Sequence, residues 1–295
     1  MGDPRRRGRR PRPPGRGRGR PGGGAMSDLR VGRISALNMF PVYHHLDEAA
    51  LPGVTFTDGL PALLNAGVID GTLDVSAMSS IAYARHAHDL RLLPVGCIAC
   101  EGAVDSIRLL SPVPLHEVRR VAVTPHSASS VTLLRVLVGP DMRFRVMASD
   151  LEAPAALAAG EAVLLIADAA LLAHRGGIAP YSLDLGELWQ QRTGLPMVFA
   201  VWAAREDTAV TRPAALDALC DAITAGTGAF AADPDGMARA AAQRFPFDEA
   251  YIRGYLSRLR YAFGDAERAG LEAFLDMARA AGELREMPAL RAVAA

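Results

Sequence analysis

The sequence predicts a two-lobed α/β protein with a helical C-terminal run, and three observations carry that prediction. Short apolar, β-branched runs alternate with helical patterns from Val31 to Ala204. The alternation falls into two series, divided by the proline-bearing stretch SPVPLHEV at residues 111–118. From Arg212 onward the pattern is purely helical, rich in Ala, Leu and Arg.

In the first series the runs that read as strands are VGRISAL (31–37), VTFTD (54–58), LDVSAM (73–78), LRLLPVGCIA (90–99) and SIRLLS (106–111), with helical stretches such as LPALLNAGVIDG between them. The second series is RRVAVT (119–124), a helix after Ser130, MRFRVMA (142–148), the Ala-rich LEAPAALAAGEA, VLLIAD (163–168), a short helix, and LPMVFAVWAA (195–204). The economical architecture inserts the second α/β unit before a helical return to the first. Lobe I is then residues 26–112 with 206–295, and lobe II residues 113–205. A chain of 295 residues, 50% hydrophobic, can bury a core large enough for both.

Charge and composition exclude several classes. All 32 basic residues are Arg, so lysine-dependent Schiff-base, pyridoxal phosphate and P-loop NTPase chemistry is ruled out. The net charge of zero conceals an asymmetry: residues 1–24 hold nine Arg and one Asp, leaving 23 Arg against 31 acidic residues in an acidic body. The head, residues 1–25, is Arg, Gly and Pro and is expected to be disordered, with Met26 the native start. An Arg/Gly-rich arm could bind phosphate backbones, but the head reads as upstream sequence of a GC-rich genome, and no nucleic-acid partner is expected. The head has no apolar stretch of a secretory type and the chain no run of the roughly 20 apolar residues a spanning helix needs, so a cytoplasmic, non-membrane protein is expected. Three Cys give no disulfide framework, and Cys97 and Cys100 of LLPVGCIACEG read as small core residues on a strand. His86 and His88, two apart, share no helical face, and no metal site is apparent.

Two lobes place a ligand in the cleft, where strand ends and helix N-termini meet. The polar residues at strand ends are Asn38, Ser79 and Ser80, Ser106, the cluster Thr124 to Ser130, and Asp168. Within VTPHSASSVTLLRVLV, a nucleophile would need a paired base; G-x-S-x-G is absent and His126 has no evident partner. One serine of Ser127, Ser129 and Ser130 caps the following helix. An anion cradle accounts for all three serines and Thr124, because helix N-terminal N–H groups and hydroxyls together favour negative charge. Taken alone, Asn38 is ordinary turn chemistry, and Ser79, Ser80 and Asp168 read as helix caps.

The order of these pieces resembles the chorismate dehydratase family of the futalosine route to menaquinone. The segments that carry the resemblance are GRISALNMFPVY (32–43), GTLDVSAMSSIAYARH (71–86), EGAVDSIRLLS (101–111), VAVTPHSASSVTLLRVLV (121–138), LLIADAAL (164–171) and DLGELWQQRTGLPMVFAVWAAR (184–205). The resemblance implies a type II periplasmic-binding-protein-like fold and a cofactor-free hydro-lyase acting on chorismate, a small dicarboxylate. It makes Asn38 and Ser106 the contacts at the reacting centre, and Ser80, Thr124, Ser129, Ser130 and Asp168 cleft-lining residues. Three positions depart: Ala103 where the family often has Pro, Ala167 where Gly precedes the Asp, and Ser129 where Thr is common.

That chemistry needs oriented donors for two carboxylates rather than Lys or a metal. A base is less evident, and the substrate's own enolpyruvyl carboxylate is the expected proton acceptor, held in reach by proximity. Two alternatives share the fold: 1,4-dihydroxy-6-naphthoate synthase, which usually opens with S-P-C-P-N-D where this chain has A-L-N-M-F-P, and a non-catalytic solute-binding protein.

Overall fold

A computed structural model describes residues 28–139 and 142–293. The expectations for the head, residues 1–25, lie outside the described residues.

The chain folds into two sheets. The first holds β1 (Leu29–Ile34), β2 (Val54–Gly59), β3 (Val75–Ser79), β4 (Leu90–Cys100), β10 (Met197–Arg205) and β11 (Leu259–Arg260), ordered β11-β4-β10-β3-β1-β2. The second holds β5 (Ile107–Ser111), β6 (Arg120–Val123), β7 (Arg143–Val146), β8 (Ala162–Ile166) and β9 (Tyr181–Asp184), ordered β7-β6-β8-β5-β9. Each sheet has a parallel half, β2-β1-β3 and β7-β6-β8, met by an antiparallel strand, β10 and β5 respectively. Strands β3, β5 and most of β10 are buried at every residue, as expected of sheets covered by helices on both faces.

The helices over the first sheet are α1 (Phe40–Tyr43), α2 (Pro61–Asp70), α3 (Ser80–Arg85), and after β10 α8 (Glu206–Thr211), α9 (Pro213–Ala232), α10 (Pro234–Ala242), α11 (Glu249–Leu256) and α12 (Asp265–Ala280). Those of the second unit are α4 (Ala128–Val138), α5 (Ala153–Ala158), α6 (Ala167–Arg175) and α7 (Leu185–Thr193).

Sheet membership differs from the lobe boundaries expected above. β5 lies in the second sheet, although residues 26–112 read as lobe I, and β10 lies in the first, although 113–205 read as lobe II. The chain therefore crosses at residues 101–106 and again at 194–196, not at SPVPLHEV. Each unit lends the other one antiparallel strand. A run buried on both faces carries no mark of which sheet receives it, so contiguity along the chain misassigned both.

Three smaller features also differ. Strand β9, of sequence YSLD, and helix α7 lie between the expected short helix and β10. β9 has too few apolar residues to register as a strand, whereas α7 carries a readable cap: Asp184 accepts from Gly186 N (2.9 Å) and Glu187 N (3.1 Å). The C-terminal region is not purely helical, because β11 pairs antiparallel with β4. As expected of small core residues on a strand, Cys97 and Cys100 are buried in β4, and burial pushes both thiols far above their ordinary range.

Candidate active site

The cavity between the sheets has a volume of about 470 Å³. Four helices begin at its wall: Leu60 and Pro61 open α2, Ser79 precedes α3, Ser127 and Ser130 open α4, and Ala167 to Ala169 open α6. Each start follows a strand that ends at the cleft, which is how an α/β unit aims its helix N-termini at a ligand. No Arg appears among the described residues of this wall. What this wall offers an anion is therefore its helix ends, each favouring negative charge by about 0.3–1 kcal/mol when exposed and up to ~2 kcal/mol when partly buried, set against the carboxylates of Asp58, Asp150 and Asp168 on the same wall.

Of the residues singled out from the sequence, Asn38, Ser79, Ser106, Ser127, Ser130 and Asp168 line the cavity. Asn38 lies in a single 3-10 turn after β1, Leu37–Met39, and its Oδ1 is buried with no hydrogen-bond partner. Its carbonyl accepts from the hydroxyl of half-buried Tyr261 at 2.7 Å. Ser106 is 3% exposed; its N–H donates to Val104 O and its carbonyl accepts from Ala167 N, both at 2.7 Å. The Tyr255 hydroxyl is buried without a hydrogen-bond partner; burial pushes that phenol up and the neighbouring Ser106 hydroxyl opposes the shift.

Ser80, Thr124 and Ser129, expected in the cleft, stand behind the wall. Ser80 Oγ lies 3.0 Å from Ser129 Oγ and donates to Val198 O at 2.8 Å. Ser129 Oγ in turn accepts from Ile81 N at 3.2 Å. The first turn of α3 is thus capped from α4, and neither Ser79 nor Ser80 does it: Ser79 Oγ accepts instead from Asn65 Nδ2 at 3.1 Å. Thr124 Oγ1 accepts from His126 N at 3.2 Å and shapes the turn into α4. Ser127 is the true N-cap, accepting from Ser130 N at 3.2 Å. Asp168 does not cap α6; its Oδ1 accepts from Leu37 N at 3.1 Å, across the cleft. Burial raises the Asp168 carboxyl above its ordinary value, and the Leu37 N–H only partly opposes this.

Sequence reasoning left out Ser35, Asp58, His126 and Asp150, all on the wall. Asp58 is the last but one residue of β2, so the strand-end rule that points to Asn38 also points to it. The hydrogen-bonded Arg33 guanidinium, 2.6 Å away, holds that carboxyl below the ordinary range, and Ser35 donates to it at 3.2 Å. His126 sits inside the Thr124 to Ser130 cluster; its sequence context offers it no partner, yet this imidazole reaches the cavity. Asp150, one of whose oxygens is buried without a hydrogen-bond partner, begins a short 3-10 turn that no motif marks. Among the described residues no group of His, Cys, Asp and Glu could hold a metal ion, and no helix is long and apolar enough to cross a membrane.

The loop that presents Ser106 is built on Asp184. Its carboxylate accepts from Val104 N at 3.0 Å and Asp105 N at 2.7 Å while capping α7. Asp105 is held in the left-handed region, φ 61°, with its own carboxylate paired to Arg108 at 2.7 Å and to Arg258. A Cβ on Gly186 would come within 2.5 Å of Gly102 O, so only glycine lets α7 start against this loop. Asp184 and Gly186 of the DLG stretch thus hold the Ser106 loop in place.

A menaquinone biosynthesis family pattern matches residues 29–280, nearly all of the described chain. The chain belongs to the menaquinone biosynthesis family. A chorismate dehydratase of Thermus thermophilus is 34% identical over 257 residues, 81% of this chain and 91% of that enzyme. The solved structure of AF1704 from Archaeoglobus fulgidus superposes with a TM-score of 0.70 at 18% identity, covering 86% of this chain and 98% of that one. A Candida albicans protein described as having the generic periplasmic binding protein fold superposes with a TM-score of 0.64 at 12% identity, covering 88% and 92%. The two-lobed, periplasmic-binding-protein-like fold expected from the sequence is the fold observed. Membership of the menaquinone biosynthesis family also gives the Ala167 departure a physical reading. Ala167 has φ 50°, the left-handed region in which a glycine is unstrained and an alanine is not.

Proposed function

We propose that the chain is a cytoplasmic chorismate dehydratase, a hydro-lyase that eliminates water from chorismate to give 3-[(1-carboxyvinyl)oxy]benzoate as the first step of futalosine-dependent menaquinone biosynthesis, without metal or cofactor. The observation that carries the proposal is the 34% identity to a chorismate dehydratase across 91% of that enzyme's length. The cavity supports it. Chorismate carries two carboxylates, and four helix N-termini with the Ser127 and Ser130 hydroxyls meet them without a cation.

Loss of the C3 proton puts charge on the ring carboxylate through the conjugated double bond, and departure of the C4 hydroxyl as water makes the ring aromatic. Fixed N–H and O–H donors stabilise that growing charge without reorganising. Asn38 and Ser106 touch the substrate at the reacting centre, fixing it and polarising the departing hydroxyl. The enolpyruvyl carboxylate, an acceptor already bound in reach, takes the C3 proton and passes it to the C4 hydroxyl as that group leaves as water. His126 is the rival acceptor, since it reaches the cavity. A His126→Ala variant that binds chorismate but has lost turnover would install it as the base.

The deciding experiment incubates the protein with chorismate and follows, by chromatography and mass spectrometry, a product one water lighter. Tight chorismate binding with no product would overturn the enzyme reading in favour of a solute-binding protein. Formation of 1,4-dihydroxy-6-naphthoate from cyclic dehypoxanthine futalosine instead would assign the chain to the other reaction of the pathway.

A further inference from the structure

Asn38 and Ser106 belong to different sheets, one after β1 and the other before β5, so something must set their separation. Two adjacent residues at the start of α6 do so. Ala167 N donates to Ser106 O at 2.7 Å, and Asp168 Oδ1 accepts from Leu37 N, the residue before Asn38, at 3.1 Å. We propose that Asp168 is a positioning residue, neither base nor acid, whose carboxylate latches the Asn38 turn from the opposite lobe and so fixes Asn38 against Ser106 in the dehydration.

Three observations point the same way. The Asn38 turn is one 3-10 turn with no side-chain cap of its own, and the Asp168 carboxylate satisfies its first N–H. The far side of the turn is rigid, because Asn38 O is held by the Tyr261 hydroxyl at 2.7 Å and Tyr261 is packed edge-on against Phe230. Lastly, the left-handed backbone at Ala167, φ 50°, turns the chain so that one peptide N–H reaches Ser106 while the next side chain reaches Leu37. A carboxylate whose oxygen accepts a fixed backbone N–H is occupied in holding geometry.

The inference rests on the proposed dehydration, and its test separates the two. In the full chain, Asp168→Asn keeps an acceptor oxygen for Leu37 N–H, and kcat should fall by no more than about fivefold. Asp168→Ala removes it and should lower kcat by about a hundredfold with KM within about threefold, the effect of a displacement near 1 Å. Hydrogen exchange gives a readout independent of turnover: Asp168→Ala should accelerate exchange across residues 36–40 about tenfold while β3 stays protected. Leu37→Pro deletes the donor instead. Leu37 opens the turn and Ala36 is extended (φ −132°, ψ 158°), a backbone compatible with proline at the next position. Proline also truncates the fully buried Leu37 side chain, so the comparison is made with Leu37→Ala; relative to that control Leu37→Pro should reproduce the Asp168→Ala effects, and combining it with Asp168→Ala should add little, so the inference stays testable if one variant fails to fold.

Asp168→Asn as inactive as Asp168→Ala would show proton chemistry at Asp168 and overturn the inference. So would unchanged exchange at 36–40 in Asp168→Ala. A wild-type protein without turnover whose variants still show the exchange pattern would sink the proposed reaction and leave the latch standing.

Discussion

Ala167→Gly should raise stability, against the usual sign for alanine in a helix. Ala167 is the first residue of α6 and has φ 50°, where the Cβ of an L-residue crowds the backbone at a cost of about 1–2 kcal/mol. Glycine removes that strain but frees the unfolded chain, which offsets about 0.4–1 kcal/mol. The net expectation is a gain of about 0.5–1 kcal/mol, roughly 1–4 °C in Tm for a chain this size. Ala170, fully buried three residues on, is the matched control. There the same substitution loses about 1 kcal/mol of helix propensity and about 0.8 kcal/mol of buried methyl. Thermal unfolding followed by far-UV circular dichroism reads both. A lower Tm for Ala167→Gly, parallel to Ala170→Gly, would refute the strain assignment.

Asp168→Asn should stabilise the protein at neutral pH. The folded-state pKa of Asp168 is raised by burial, so its ionisation disfavours folding as pH rises through the window above the unfolded value of 3.8. Urea unfolding should show the Asn variant gaining on the wild type above that window and matching it below; no pH dependence of the difference would contradict the burial argument. Asp184→Ala should cost more than about 3 kcal/mol, because it removes the α7 cap and orphans the Val104 and Asp105 amides, and urea unfolding with a loss under about 1 kcal/mol would exclude this. Ser129→Ala, which strips the buried Ile81 N–H of its partner, should lose about 1–3 kcal/mol of stability with KM unchanged. Ser130→Ala, on the cavity wall, should instead raise KM; the opposite assignment would put Ser129 in the cleft.

How much of this was legible in the sequence depends on the range of the interaction that decides it. Strand runs, a serine cap at the start of α4 and the exclusion of lysine chemistry follow from periodicity, capping and composition, all legible along the chain itself. Cleft-lining Asn38, Ser106 and Asp168 could be chosen because strand ends in α/β folds converge on ligands. The exchange of β5 and β10 between sheets could not, since pairing partners are set by contacts distant in sequence that leave the apolar pattern unchanged. Nor could the fates of four neighbouring hydroxyls. Ser129 and Ser130 are adjacent on α4, and a helical step of about 100° sends one toward α3 and the other into the cavity, a choice made only by where α3 packs. Which residue types could meet an anion, and on which elements they stand, can be read along the chain. Tertiary structure alone decided which of them face it, because facing is a relation between two lobes joined by hydrogen bonds such as Asp168 to Leu37, made between positions far apart in the chain.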